Sequence, residues 1–285
     1  MNGPPILEKV AALPPLREAI AAAGFSAKKS LGQNFLLDLN LTRRIARAAG
    51  DLAVGTTIEI GPGPGGLTRA LLLEGAGQVI AIERDRRAAQ ALAPLVNAAE
   101  GCLLLIEGDA LTMQVADLGD APRRVVANLP YNIATRLLLR WLETPARFES
   151  FTLMFQKEVA DRLIAGPGDD AYGRLSVLVG WLCEVSKVTD VPPSAFTPPP
   201  KVWSSVVRLA PRVEPLAPAD RRTLERITEA AFAQRRKMLR QSLKRFGGDA
   251  LLEAAGIEPT LRPERLPIKD FCALARVLDE SEAAP

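Results

Sequence analysis

The stretch TTIEIGPGPGGLT, residues 56–68, decides the fold class of this chain. A short apolar run is followed at once by Gly61, Gly63 and Gly66, which match the GxGxxG spacing of nucleotide-binding turns. Such a turn joins a buried strand to the start of a helix. The stretch therefore predicts a strand–turn–helix unit of a parallel sheet. A glycine-rich turn needed only for tight packing is the alternative, because the spacing alone is a weak signal.

The sequence on both sides of this turn continues the same pattern. Apolar runs alternate with helical stretches as far as Asn128, and the runs are continuous. Continuous apolar runs are typical of parallel strands that are covered on both faces. Two later runs, FTLMF from residue 151 and VWSSVVRL from residue 202, predict further strands, the second of which closes the sheet. We expect a doubly wound, Rossmann-like α/β domain.

The composition changes after Pro211. Residues 219–246 carry apolar side chains at helical spacing and predict one long helix, and two shorter helices are predicted near residues 249–256 and 270–280. We therefore expect a small all-helical domain at the C-terminal end. The predicted division is an N-terminal extension with one short helix, the α/β domain and the helical domain, in residues 1–27, 28–211 and 212–285.

The composition excludes several classes of chemistry. The 285 residues include no histidine, which rules out imidazole relays and histidine-ligated metal sites. Three cysteines far apart in the sequence form no disulfide framework. The beginning of the chain lacks the pattern of a secretory signal, and no apolar run has membrane-spanning length. We expect a cytoplasmic monomer with no resident metal and no membrane contact.

The glycine turn also indicates which ligand it holds. Pro62 and Pro64 each lack the backbone N–H that a phosphate-binding turn would use. A cofactor without phosphate, S-adenosylmethionine, therefore suits Gly61 and Gly63 better than a dinucleotide. Glu83 ends the next apolar run about twenty residues on, where a carboxylate accepts hydrogen bonds from ribose hydroxyls.

A second carboxylate follows the third apolar run. Asp109 could accept a hydrogen bond from the exocyclic amine of the cofactor's adenine. Its alternative role is to cap the helix that follows.

The most informative segment is Asn128, Leu129, Pro130 and Tyr131, at the end of the fourth run. Open α/β sheets bind their ligands at this edge. An aromatic amine is a poor nucleophile, and hydrogen-bond acceptors draw electron density back onto its nitrogen. The Asn128 side-chain oxygen and the Leu129 carbonyl, which Pro130 holds extended, are such acceptors. Tyr131 would stack on an extruded base. A strand-to-turn segment with a core tyrosine is the alternative.

At this point the sequence resembles a known family. The ordered motifs KKSLGQNFL, EIGPGPGGLT, IERD, GDA, NLPYNI, YGRLS and FTPPPKVWSSVV, spread over residues 28–245, are similar to those of the ribosomal RNA adenine N6,N6-dimethyltransferases, and closest to the bacterial small-subunit branch. The resemblance implies that Tyr131 and Phe196 sandwich the target adenine. It also implies a set of residues that hold S-adenosylmethionine: Asn34, Leu36, Gly61, Glu83, Asp109 and Asn128.

The resemblance further implies a substrate. Two adjacent adenines near the 3′ end of the small-subunit rRNA, within an immature ribosomal subunit, would each be methylated twice. Residues 28–211 would then be the methyltransferase domain and residues 212–285 an RNA-binding domain.

Basic residues concentrate towards the C-terminal end. Between Lys201 and Gly248 there are twelve Lys or Arg and four Asp or Glu, a local net charge of +8 (12 − 4), whereas the whole chain carries +3. Such a concentration favours phosphate contact. A solvated helix face is the alternative. The long helix is predicted to carry a basic face formed by Gln234, Arg235, Arg236, Lys237 and Arg240. Lys28 and Lys29 add positive charge near the other end of the domain. The predicted RNA-binding residues are the six cations of these two groups.

Four other functions remain open on the sequence alone. Methylation of DNA adenine or of a protein glutamine amide would use a related segment, commonly with two prolines, where this chain has Leu129. Large-subunit rRNA methyltransferases share most motifs but differ at FTPPPKV and the helical tail. A ribosome assembly factor whose binding matters more than its catalysis is a third reading. An NAD oxidoreductase is disfavoured by the prolines of the turn.

Overall fold

A computed structural model of the chain describes residues 4–28 and 32–283. The predicted RNA-binding residue Lys29 lies outside these residues. The helices and strands are, in chain order, α1 (Pro4–Ala12), α2 (Leu16–Ala22), β1 (Phe35–Leu36), α3 (Leu39–Ala48), β2 (Thr56–Ile60), α4 (Gly66–Leu73), β3 (Val79–Glu83), α5 (Arg86–Ala98), β4 (Leu103–Glu107), β5 (Arg123–Ala127), α6 (Tyr131–Trp141), β6 (Ser150–Gln156), α7 (Lys157–Ile164), α8 (Arg174–Leu182), β7 (Cys183–Val191), β8 (Phe196–Thr197), β9 (Ser204–Pro211), α9 (Arg221–Ala233), α10 (Leu239–Ser242), α11 (Asp249–Ala254) and α12 (Ile268–Ala283).

The main sheet has the strand order β4-β3-β2-β5-β6-β9-β7. From β4 to β6 all neighbours are parallel, and β9 runs antiparallel to β6. The chain moves from β2 to β3 and β4 on one side, then returns to β5 on the other. This reversal next to β2 is the switch point at which such sheets bind ligands. The predicted doubly wound, Rossmann-like fold is confirmed.

One strand prediction was wrong in its placement. The run that begins at residue 202 forms β9 from Ser204 onwards, but β9 lies between β6 and β7 and does not close the sheet. The edge strand is β7, in which buried and exposed residues are mixed along the strand. Such a pattern suits an edge strand, which has a neighbouring strand on one side only. The sequence of β7 lacks the continuous apolar run by which the other strands were predicted.

Continuous burial explains why the central strands form where they do. Every residue of β2 and of β3 is buried, and Leu71 and Leu72 of α4 are fully buried against the sheet. Complete burial of one such leucine contributes about 1.5 to 3 kcal/mol to folding. The helix after the glycine turn is therefore firmly packed onto the strands that precede and follow it.

The N-terminal extension forms two helices, α1 and α2, where one was predicted. Pro14 and Pro15 separate them because proline disfavours helical backbone in the residue before it. The Arg69 guanidinium on α4 donates hydrogen bonds of 2.7–3.0 Å to the carbonyls of Ala11, Leu13 and Pro14, where α1 ends. The extension is thus tied to the helix that begins at the glycine turn.

Contacts divide the chain into two compact units. Unit 1 is Met1–Ala160 with Ser186–Pro211, and unit 2 is Asp161–Val185 with Arg212–Pro285. Unit 2 is largely helical, and within it the ring of Phe232 contacts those of Tyr172 and Phe271, with centroids 5.9 and 5.6 Å apart. The predicted helical C-terminal part is present. In the described part of the chain no helix is both long and apolar enough to span a bilayer.

The prediction of one long helix over residues 219–246 was wrong. Helix α9 ends at Ala233, residues 234–238 form a turn, and α10 begins at Leu239. The turn carries three consecutive cations, and the side chain of its apolar residue, Met238, is exposed. The backbone N–H groups of Leu239 and Arg240 donate to the carbonyls of Leu261 and Pro259. These tertiary hydrogen bonds redirect the chain where helical periodicity alone would continue it.

Candidate active site

A cleft of unit 1 opens at the carboxyl ends of β2, β3, β4 and β5. It encloses about 1250 Å³ of space, a volume that includes its open mouth. Ten of the predicted site residues line it together: Asn34, Leu36, Gly61, Gly63, Glu83, Asp109, Asn128, Leu129, Pro130 and Tyr131. The structure therefore brings together residues that are nearly one hundred positions apart in sequence. Those from Gly61 onwards follow consecutive parallel strands, as predicted, whereas Asn34 and Leu36 were expected only from the family resemblance.

The glycine turn offers no free N–H between residues 61 and 65. Two of these positions are prolines, and the amides of Gly61, Gly63 and Gly65 donate to the Ile82 carbonyl, the Glu83 carboxylate and the Pro62 carbonyl. A phosphate needs several such donors. The geometry thus supports the prediction of a cofactor without phosphate.

Two of the glycines are required by close contacts. Gly63 has φ +54°, and a Cβ there would lie 3.3 Å from the Phe35 ring. A Cβ on Gly66 would come within 2.5 Å of the Leu36 carbonyl oxygen. Because real Cβ atoms do not approach so closely, a side chain at Gly66 would push β1 away from the turn. The turn that lines the cleft is therefore also needed for tight packing against β1.

Glu83 lines the cleft at the end of β3. Its Oε2 accepts from the Gly63 amide at 3.1 Å, and its Oε1 accepts from the Asp85 amide at 2.7 Å. Burial raises the pKa of Glu83 above its ordinary value, while these backbone donors lower it. Each oxygen retains a second lone pair. The carboxylate is therefore oriented by the backbone and can still accept hydrogen bonds from a ligand.

Glu59 is a cleft residue that sequence reasoning missed. It lies within β2, is 1% exposed, and its Oε2 has no hydrogen-bond partner among the described residues. Burial, and to a lesser degree the charge of Glu83, raise the pKa of Glu59 to about 8, and Thr68 acts in the opposite direction. The signal in the sequence was a single acid inside the apolar run TTIEI.

We expect Glu59→Gln to remove part of the pH dependence of unfolding. The pKa of Glu59 is about 8 in the fold, against 4.5 for an ordinary glutamate, so the folded chain binds this proton more tightly than the unfolded chain. The stability contributed by the protonated acid is fully present below pH 4.5, and it is lost as the pH rises through about 8. Glutamine stays neutral throughout. Calorimetric Tm values should therefore fall less steeply over this range in the variant.

The control for this measurement is Glu143→Gln. Glu143 is exposed just after the end of α6, so its substitution should leave the wild-type slope unchanged. Equal slopes for Glu59→Gln and the wild type would contradict the prediction.

Asp109 has two uses within the protein. Its Oδ1 accepts from the Leu111 amide at 2.9 Å, as a capping carboxylate does, and its Oδ2 forms an ion pair with Arg84 at 3.4 Å. Arg84 is largely exposed and also lines the cleft. The proposed contact of Asp109 with the cofactor's adenine stays a prediction, and it would use lone pairs that these two protein partners leave unoccupied.

Asn128 has its side-chain amide oriented by the N-terminal part of the cleft. Its Nδ2 donates to the backbone carbonyl of Asn34 at 3.1 Å. Since the nitrogen is engaged there, Oδ1 is the atom that remains to accept a hydrogen bond from a ligand. Asn34 therefore contributes its carbonyl to the orientation of Asn128, a role that the sequence did not indicate.

Tyr131 is the first residue of α6, directly after Pro130, which precedes the helix with extended backbone. Its side chain is half-buried, and its hydroxyl lies 2.6 Å from the hydroxyl of Ser204 on β9. Burial raises the pKa of Tyr131, and the hydrogen bond with Ser204 lowers it. The ring lies at the wall of the cleft with its far end held by the sheet.

Phe196 is not brought to the cleft. It is 3% exposed, packs in the hydrophobic core, and pairs with Leu36 where β8 meets β1. The structure gives it the role of supporting β1, whose Leu36 lines the cleft. A stacking role for its ring stays a prediction.

The predicted basic residues differ in their surroundings. Arg236, Lys237 and Arg240 are exposed. The Arg235 guanidinium instead donates to the Asp170 carbonyl at 2.5 Å and to the Asp169 carbonyl at 3.4 Å. These four cations are not on one face of a helix, since residues 234–238 form the turn described above, here called the basic turn. Lys28 of unit 1 is exposed.

Comparison with known proteins gives a consistent result. The family model "Ribosomal RNA adenine dimethylase" matches residues 24–280. The chain is 63% identical over 268 residues to "Ribosomal RNA small subunit methyltransferase A" of Rhodospirillum rubrum, covering 94% of this chain and 93% of the relative. It is 62% identical over 271 residues to the protein of the same name from Paramagnetospirillum magneticum, covering 95% and 96%.

Two crystal structures resemble the whole fold. A dimethyladenosine transferase from Plasmodium falciparum superposes with a TM-score of 0.74 at 26% identity, covering 86% of this chain and 97% of that one. The 23S rRNA methyltransferase ErmE superposes with a TM-score of 0.68 at 29% identity, covering 86% and 100%.

Proposed function

The chain belongs to the ribosomal RNA adenine dimethylase family, and from this premise we propose that it transfers methyl groups from S-adenosylmethionine to adenine N6 in small-subunit rRNA. Small-subunit rRNA as the substrate is supported by two relatives that are more than 60% identical and are named small-subunit methyltransferases, whereas the 23S rRNA enzyme is only 29% identical. The substrate of the proposal is two adjacent adenines near the 3′ end of the RNA, each methylated twice.

The observation that carries the catalytic proposal is the hydrogen bond from Asn128 Nδ2 to the Asn34 carbonyl. It fixes the amide so that Oδ1 accepts a hydrogen bond from the target amine. The Leu129 carbonyl is the proposed second acceptor, at the same strand end. Two acceptors on one amino group increase electron density at N6 and hold its lone pair in a fixed direction. No histidine or metal is needed for this effect.

The proposed step balances without a further reactant. S-adenosylmethionine supplies an electrophilic methyl group on a sulfonium. The N6 lone pair forms a bond to the methyl carbon, the carbon–sulfur bond breaks, and its electron pair stays on sulfur. The methylated nitrogen then loses a proton to solvent. A second molecule of S-adenosylmethionine repeats the transfer on the same nitrogen and gives the dimethylated base.

The residues of the cleft fit this co-substrate. The turn without free N–H donors suits a ligand that has no phosphate. We assign Glu83 to the ribose hydroxyls and Asp109 to the adenine amine. Asn34, Leu36, Gly61, Gly63 and Asn128, which line the same cleft, would hold the rest of the molecule.

The RNA-binding assignment is part of the same proposal. Residues 28–211 would perform the reaction, and the exposed cations of residues 212–285, with Lys28 and Lys29, would attract RNA phosphates. Phosphate contacts position a protein on RNA but carry little sequence information. The folded RNA of an immature small subunit would supply the selectivity to a cytoplasmic monomer.

Neutralising Arg235, Arg236 and Lys237 together should weaken RNA binding and flatten its dependence on salt. Removing one cation that binds a phosphate lowers the slope of log affinity against log salt by about 0.7 to 0.9. Because the Arg235 guanidinium is bonded to backbone carbonyls, Arg236→Ala with Lys237→Ala should give most of the effect. Equilibrium binding to unmethylated subunits over a salt series measures it.

A matched control removes three exposed cations elsewhere in unit 2, namely Arg222, Arg262 and Lys269. It changes the net charge by the same amount. An affinity and slope that fall equally in both triple variants would reject a specific role for the basic turn.

The function itself is tested by incubating the protein with labelled S-adenosylmethionine and unmethylated small subunits. The modified nucleosides are then identified and mapped. N6,N6-dimethyladenine at two adjacent positions near the 3′ end is the expected product. Methylation of large subunits only, or of no RNA, would overturn the proposal.

A further inference from the structure

Two adjacent serines at the start of β9 form side-chain hydrogen bonds with different partners. Ser204 and Ser205 are both fully buried, and each makes a hydrogen bond of 2.6 Å. The Ser204 hydroxyl is bonded to the Tyr131 hydroxyl at the cleft, whereas Ser205 donates to the Asp190 carboxylate on β7. The two residues therefore share type, burial and strand but not surroundings.

Tyr131 is held at both ends of its side chain. Its Cα is fixed at the beginning of α6, after Pro130, and its phenolic oxygen is fixed by Ser204. Ser204 itself lies opposite Gln156 in the antiparallel pairing of β6 with β9, so the second fixed point belongs to the sheet. A ring attached only through its Cβ turns about two side-chain torsions. A bond at the phenolic oxygen fixes the far end of the ring and so restrains χ1. It also favours one ring plane about χ2, because a phenolic hydroxyl makes its hydrogen bonds close to the plane of its own ring.

We propose that Ser204 is a positioning residue for the target base, because it fixes the Tyr131 ring in the plane on which the adenine stacks. The inference rests on the proposed function and adds a residue to its RNA side. Tyr131 is half-buried, so its ring retains accessible surface, and it lines the cleft beside Asn128 and Leu129. A stacked base would thus be held in the direction from which its amino group meets the two acceptors.

Because of its position, Ser204 should affect binding of the target base and not binding of S-adenosylmethionine. It contacts Tyr131 and lies outside the residues that line the cleft. Its removal should therefore change how the base is held, without changing the affinity for S-adenosylmethionine. A neutral hydrogen bond of this kind corresponds to a factor of about two to ten in an equilibrium.

The test is a double-mutant cycle of Ser204→Ala and Tyr131→Phe, with Ser205→Ala as the matched control. We expect each of the two single variants to lower kcat/KM for unmethylated subunits about two- to tenfold, with an unchanged Kd for S-adenosylmethionine. In the double variant the reduction should equal that of one single variant, because both remove the same bond. Ser205→Ala should lower Tm to a similar extent as Ser204→Ala and leave kcat/KM unchanged.

Three results would overturn the inference: kinetics of Ser204→Ala that match those of Ser205→Ala, reductions that add in the double variant, or a weakened Kd for S-adenosylmethionine. If Ser204→Ala does not fold, Tyr131→Phe tests the same bond, and wild-type kinetics of that variant would overturn the inference. A wild-type protein that methylates no RNA is a different outcome, because it rejects the proposed function itself.

Discussion

Asn128→Ala should lower kcat for methyl transfer by about 10²- to 10³-fold. The substitution removes an oriented acceptor from the reacting amine, and loss of one preorganised hydrogen-bonding group of an active site costs about 2.7 to 4 kcal/mol in the transition state. It also removes the bond to the Asn34 carbonyl, so a smaller rise in the Kd for S-adenosylmethionine should accompany it. Single-turnover assays at saturating cofactor isolate the chemical step from this change.

Asn128→Asp provides the sharper comparison. A carboxylate keeps an acceptor for the amine, but it cannot donate to the Asn34 carbonyl and places negative charge beside it. We expect activity below that of the wild type and above that of Asn128→Ala. The control is Asn97→Ala, an exposed asparagine on α5, which should have wild-type kcat. Full activity of Asn128→Ala with saturating cofactor would contradict the proposed role of its amide.

The Asn128→Ala variant also tests whether catalysis or binding is the essential activity. Because Asn128 acts on the amine in the proposal, Asn128→Ala should still bind small subunits. If cells that contain only this variant assemble subunits normally, occupancy of the immature subunit matters more than methylation. If assembly fails while binding is intact, the methyl transfer is the essential activity.

Glu83→Gln should weaken S-adenosylmethionine binding by about 10²-fold. The carboxylate accepts from the amides of Gly63 and Asp85 with separate oxygens, and glutamine has only one acceptor oxygen. Its NH₂ group would face one of these two donors, which misorients the glycine turn. The charge-assisted hydrogen bonds to ribose, worth about 1.5 to 3 kcal/mol each, are weakened as well. Titration calorimetry with the full chain measures the Kd.

Glu107→Gln is the matched control for Glu83→Gln. Glu107 lies opposite Glu83 in the pairing of β3 with β4, but it is exposed and lies outside the residues that line the cleft. Its variant should bind S-adenosylmethionine as the wild type does. Equal affinities of the Glu83→Gln variant and the wild type would contradict the assignment of the ribose site.

Binding should also depend on pH through Glu83. Burial raises the pKa of this carboxyl, so protonation begins at a higher pH than for an exposed glutamate. The ionised form is the better acceptor. The affinity for S-adenosylmethionine should therefore fall as the pH is lowered through the raised pKa, and this fall should be absent in Glu83→Gln.

Much of the lining of the cleft could be predicted from the positions in the sequence at which the strands end. The apolar runs located the carboxyl ends of β2 to β5 within two residues, and parallel strands bring these ends to one edge. Gly61, Glu83, Asp109 and Asn128 therefore had to meet. The two prolines of the turn also showed that no backbone N–H donor is present at their positions, because proline has no backbone N–H in any structure.

Other features depended on contacts that no local pattern contains. Glu59 became a buried acid only because β2 is covered on both faces, and Phe196 became a core residue only through the pairing of β8 with β1. The helix predicted through Arg235 ended early because backbone bonds to residues 259–261 compete with helical continuation.

The sequence by itself determined the fold class, the lack of backbone donors in the glycine turn and the segment proposed to react. Each of these depends on residue type and short-range spacing, which the chain carries before it folds. The tertiary structure decided which atom of the Asn128 amide is bonded to the protein, which serine holds the Tyr131 hydroxyl, and which arginine of the basic turn is bonded to backbone carbonyls. Those choices are hydrogen bonds between residues about 65 to 95 positions apart, and only packing brings such partners within reach.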